Sequence, residues 1–229
     1  MRTSLPARDL DGYVQRLLAH YLPDGAASDR PLGGHIATAL SRIEHSFSSI
    51  HRKYYEDGTG TTFDHLHGDH MAAFLYFLAN SIWRETGDAA LAARLCYVNK
   101  IMHGLDLFHS VEMPDIFLLV HPVGTVLGRA TYSDYLVVYQ QVTVGADTTV
   151  YPRFGEGVIL YSRSSVLGDC VVGRDVVFAA NAMLVDSAVP DHTVVTGQFP
   201  AHRFLANTTP VRARCFDALA TGASGGGAA

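Results

Sequence analysis

The sequence lacks any uninterrupted apolar run of the roughly eighteen residues a membrane-spanning helix needs, although 48% of its 229 residues are hydrophobic. No membrane partner is expected. The first residues, MRTSLPARDLDGYVQ, lack the apolar core of a secretory signal, and a cytoplasmic location is the expectation. Charge is also sparse: 17% of residues are charged and the formal net charge is −5. A basic surplus able to hold nucleic acid or an anionic lipid surface is therefore missing, and no nucleic-acid partner is expected. The three cysteines, Cys96, Cys170 and Cys215, are scattered and odd in number. They exclude a disulfide framework and fit free thiols in a reducing compartment. A glycine-rich phosphate loop and a dinucleotide fingerprint are both absent.

What the sequence does have is a period of six between about Val120 and Thr196. Val126, Tyr132, Val138, Val144 and Val150 follow one another at that spacing. After a four-residue slip through Tyr151-Pro-Arg-Phe-Gly-Glu-Gly157, the register resumes at Leu160, Val166, Val172, Phe178 and Leu184. A second, generally smaller set lies four residues after each: Ala130, Leu136, Val142, Thr148, then Ser164, Cys170, Val176, Ala182 and Ala188. Six fits neither the 3.6 of a helix nor the two of a plain strand. It fits a parallel β-helix of hexapeptide repeats, three to a coil, each coil burying its apolar side chains against the next. A valine-rich β-sandwich is the other reading.

Residues 1–112 have a helical texture. Leu10, Tyr13, Val14, Leu17, Leu18 and Tyr21 recur at helical spacing, as do Ile36, Leu40, Ile43 and Phe47. A Gly- and Thr-rich loop, 57–62, precedes an apolar helix from about His70 to Trp83 and another from about Asp88 to His103. The fold class is thus α+β: an N-terminal α-helical domain (1–112), a left-handed parallel β-helix of hexapeptide repeats (113–205), and a C-terminal extension (206–229) ending in a flexible Gly- and Ala-rich tail.

One cluster, His65-Leu-His67-Gly-Asp69-His70, matches a metal-ligand spacing of hydrolases. It opens a helix, where Asp69 can serve as an N-terminal charge, and no metal is expected. Asp69 and His70 are instead candidate substrate-binding residues.

The order of helical domain and hexapeptide repeat resembles the serine acetyltransferase branch of the hexapeptide-repeat acyltransferases, over about residues 70–205. His121-Pro-Val-Gly-Thr-Val-Leu-Gly128 resembles that family's H-x-x-G-x-x-x-G, Gln141-Val-Thr-Val-Gly145 its Q-S-V-T-L-G, and 151–157 its H-P-K-I-x-E-G. The resemblance implies that His121 takes the proton of the acceptor hydroxyl, paired with an aspartate fifteen residues upstream, which here is Asp106. A neutral imidazole can deprotonate an alcohol near pH 7 while a carboxylate orients it. The resemblance also implies acetyl-CoA as acyl donor, with Ser162, Ala180 and Gly197 lining its groove. The sequence departs from the family's acceptor groups at Val120, Val150 and Tyr151, and Tyr151 and Arg153 are candidates to bind a different acceptor.

The function expected is therefore acetyl-CoA-dependent O-acetyl transfer to a small hydroxyl acceptor, serine or a serine-like amino acid first. Transfer to a sugar or nucleotide-sugar hydroxyl or amine, and a catalytically silent scaffold, are the alternatives. Tyr135, Val137, Tyr139 and Val158, read as outward and in need of cover, point to a homotrimer or a dimer of trimers.

Overall fold

A computed structural model describes residues 1–25 and 31–216; the tail at 221–229 lies outside them. Four helices come first: α1 (Ala7–Tyr21), α2 (Gly33–Phe47), α3 (Gly68–Thr86) and α4 (Ala89–His103). Helix α1 buries Leu10, Val14 and Leu18, one side chain per turn, and α2 buries Ile36, Ala39, Ile43 and Phe47. Helix α3 is buried continuously from Asp69 to Ile82, so it forms the centre of the helical layer. It stops at Gly87, whose φ of 72° suits glycine, and Asp88 starts α4 by accepting the Leu91 N–H at 3.0 Å.

A parallel β-helix follows, with three walls. The first wall stacks Phe117–Leu119, Leu136–Val138, Val158–Leu160, Val176–Phe178 and Thr193–Thr196. The second stacks Leu105–Leu107, Thr125–Leu127, Thr143–Gly145, Ser165–Leu167 and Met183–Val185. The third holds Arg153–Phe154, Val171–Val172 and Ala188–Val189. The solenoid's first strand, Leu105–Leu107, thus comes directly off α4 and precedes residue 113. A last strand, Arg203–Ala206, runs antiparallel along the first wall, and a short helix α5 (Val211–Cys215) follows.

The register differs from the strict six-residue count at two places. The inward column of the second wall runs Leu107, Leu127, Val144, Val166, Leu184, so Val126 faces out and is 41% exposed. Eight residues separate Leu119 from Leu127, whereas six separate Val138 from Val144. Because neighbouring strand side chains point to opposite faces, a shift of one residue turns Val126 outward. The slip falls at 145–152 rather than 151–157: Phe154 is the inward residue, stacked on Tyr132 with ring centroids 5.5 Å apart, and Val150 lies exposed in the excursion. Thr148 and Ala188 of the smaller set also lie on the surface.

Two of the side chains read as outward are buried within one chain. Val158 points inward with Leu160, and Val137 is fully covered. Tyr135 packs under Phe216 and the Arg212 guanidinium, so the C-terminal segment shields this wall.

Candidate active site

The two extra residues of the first coil fall in the corner Val120–Gly124. Gly104 and Gly124 both have positive φ, and Gly124 donates its N–H to the Gly104 carbonyl at 2.9 Å. A Cβ on Gly104 would sit 3.2 Å from the Gly124 nitrogen, so the close approach requires glycine there. His121 has φ 50°, and its side chain is 78% exposed. Inward residues Leu119, Val138, Leu160, Phe178 and Val195 stack in register, so the positions two residues later share one edge. Those positions are His121, Gln140, Ser162, Ala180 and Gly197. Backbone bonds between coils, such as Asn181 N–H to the Ser162 carbonyl at 3.0 Å, hold the column.

Asp69 approaches the corner from the first turn of α3. It accepts the His121 backbone N–H at 3.1 Å, and its second oxygen lies 4.0 Å from His121 Nδ1. Asp106 is differently engaged: its carboxylate takes the Lys100 ammonium at 2.6 Å. Within 4.0 Å of the His121 ring the structure places the Asp69 carboxylate, while that of Asp106 is engaged by Lys100. The reason is geometric. Asp106 stands in a strand within reach of Lys100 at the end of α4, while the packing of α3 delivers Asp69 to the corner.

His121 and Asp69 open onto a cavity of about 640 Å³ that the same chain closes with His67, Tyr139, Arg52 and Arg214. Tyr139 and Tyr161, from successive coils, form one side with ring centroids 4.9 Å apart. Burial pushes the Tyr139 phenol up, keeping it neutral.

No family model matches the chain. In sequence it is 30% identical over 138 residues to serine acetyltransferase 2 of Arabidopsis thaliana, covering 58% of this chain and 42% of that protein. It is 30% identical over 125 residues to the serine acetyltransferase of Mycobacterium tuberculosis, covering 52% and 54%. The match thus spans about half the length of these relatives. In structure it superposes on the serine acetyltransferase of Vibrio cholerae with a TM-score of 0.67 at 21% identity, over 89% of this chain and 82% of that one. The Neisseria gonorrhoeae serine acetyltransferase in complex with serine gives 0.66 at 20% identity, over 85% and 83%. A serine acetyltransferase in complex with CoA gives 0.65 at 18%, over 86% and 84%. In sequence and fold, this chain is similar to serine acetyltransferases. Its solenoid is the left-handed parallel β-helix expected from the hexapeptide repeat.

Within this serine acetyltransferase-like fold the candidate residues separate. Ser162, Ala180 and Gly197 share the His121 edge. Tyr151 and Arg153 do not line the His121 cavity. The Tyr151 ring lies against Gly128, where a Cβ would come within 2.9 Å of it, and Arg153 pairs with Asp169 at 2.9 Å on the third wall. The excursion at 145–152 carries them to that side. His70 is also elsewhere: it is fully buried against Phe47, Tyr55 and Phe63, and its Nδ1 accepts the Asp64 N–H at 3.1 Å. Burial lowers its pKa to about 3, so the ring stays neutral. His65 is turned to Ser4 Oγ at 2.7 Å, and among the described residues no three His, Cys, Asp or Glu gather as metal ligands.

Sequence reading missed Arg52, Tyr54, Tyr161 and Arg214 at the cavity, and took Tyr139 for an outward position only. These residues come from distant segments, and only the spacing of Tyr139 and Tyr161, both one residue after an inward position, carried a signal.

Proposed function

We propose that this chain is an acetyl-CoA-dependent O-acetyltransferase for a small hydroxyl-bearing acceptor, with His121 as general base. The observation that carries the reading is an exposed imidazole, flanked by the Asp69 carboxylate, at one end of the edge that also carries Gln140, Ser162, Ala180 and Gly197. His121 removes the hydroxyl proton as the oxygen attacks the thioester carbonyl. The carbon–sulfur bond then breaks, and the proton passes to the departing sulfur. Asp69 holds the corner through the backbone N–H and sits close enough to stabilise the imidazolium formed in that step. Ser162, Ala180 and Gly197 leave backbone groups accessible to the extended amide arm of the donor.

The names of the relatives and the serine- and CoA-bound neighbours support serine or a serine-like amino acid as the first acceptor to test. Val126 and Val171, 41% and 46% exposed on outer walls, support self-association as a homotrimer. No helix among the described residues is long and apolar enough to cross a membrane. The deciding experiment is thiol release from acetyl-CoA with a panel of hydroxyl acceptors, serine included. Absence of release with every acceptor would overturn the O-acetyltransferase reading.

A further inference from the structure

The cavity in front of His121 contains two guanidiniums that the transfer chemistry does not use. Arg52 and Arg214 are both half-buried, and neither has a carboxylate partner among the described residues. Neutral groups fix Arg214 in place: it donates to Asn207 Oδ1 at 2.7 Å and to the Thr209 carbonyl at 3.2 Å. Both guanidiniums line the same cavity. The carboxylate lining this space, Asp69, is already turned to His121. The remaining charge of the cavity is positive, in a setting where a partly desolvated guanidinium gains most from an oxyanion.

We infer that Arg52 and Arg214 form the binding site for an oxyanion on the acceptor, and that the acceptor is a hydroxylated organic anion. The inference rests on the acetyltransferase reading for the hydroxyl, which must reach His121. Tyr54, Tyr139 and Tyr161 also line the cavity and offer aromatic surface to the rest of the acceptor. A carboxylate and a phosphate would both satisfy the two arginines.

Calorimetry without acetyl-CoA tests the site apart from the reaction. The probes are 3-phenyllactate and its neutral methyl ester, and glycerol 3-phosphate and glycerol. At least one anion is expected to bind about tenfold or more tightly than its neutral counterpart. The pair that shows this distinguishes carboxylate from phosphate. Arg52→Gln and Arg214→Gln should each abolish the preference, and Arg52→Lys should keep part of it, with thermal melting confirming that each variant is folded. Equal binding of anion and neutral partner, no anion binding, or unchanged binding by a folded glutamine variant overturns the proposal. Thiol release is then measured with the anion that binds. Binding without release from any hydroxyl acceptor overturns the transferase reading and the acceptor role with it.

Discussion

His121 and Asp69 meet at two points: the aspartate accepts the histidine's backbone N–H at 3.1 Å and stands 4.0 Å from its ring nitrogen. One carboxylate thus fixes the backbone of a corner held at positive φ and supplies negative charge beside the exposed ring. The two residues are 52 positions apart, on different structural layers. The pairing makes the first turn of α3 part of the site.

Replacing His121 with Ala should lower turnover about a hundred- to ten-thousand-fold, the usual worth of a positioned base. The affinity for acetyl-CoA should hardly change, since the imidazole acts on the acceptor. Turnover near that of the wild type would assign the base elsewhere.

Asp69→Asn and Asp106→Asn separate the two candidate carboxylates. Asp69→Asn should cost about tenfold in turnover or more, and should add little to His121→Ala, because residues acting as a unit are not additive. Asp106→Asn, which disturbs a half-exposed pair with Lys100, should stay within about threefold. The reverse ranking in steady-state kinetics would return the role to Asp106.

Ala180→Trp should raise the Michaelis constant for acetyl-CoA while leaving the melting temperature unchanged. Ala180 is exposed at the shared edge, so a large ring obstructs the groove without entering the core. An unchanged constant would mean that the donor lies along another edge.

The coil register can be tested through a neighbouring pair. Leu127→Ala removes an inward side chain that is 2% exposed and should cost about 2–5 kcal/mol, whereas Val126→Thr should stay within about 0.5 kcal/mol. Urea denaturation of both variants reads the difference directly.

His70 makes stability depend on pH. Its pKa falls from an ordinary 6.5 to about 3 in the fold, through burial first and the neighbouring His67 second. The unfolded chain therefore binds the proton more readily. The stabilisation is complete above about pH 6.5 and is lost as pH falls from there towards 3, at up to about 1.4 kcal/mol per unit. His70→Phe should flatten the acid side of the melting temperature against pH, and an unchanged slope would assign the acid sensitivity to other groups.

The sequence by itself determined the repeat architecture. A hexapeptide pattern reports which side chains face inward, and stacking alone makes such positions apolar, so Val138, Val144, Leu160, Val166, Phe178 and Leu184 are all fully buried. The same local signal marked the first two helices, through the apolar spacing of Leu10, Val14 and Leu18 and of Ile36, Ile43 and Phe47. It could not decide between Val126 and Leu127, because both are apolar and the corner before them holds two extra residues. The tertiary structure alone decided which groups share a cavity. Asp69 reaches His121 because α3 packs across the solenoid, and Arg52 and Arg214, 162 positions apart, converge because α5 folds back over the first wall. Such pairings arise from long-range packing between layers, which leaves no periodic trace in the chain.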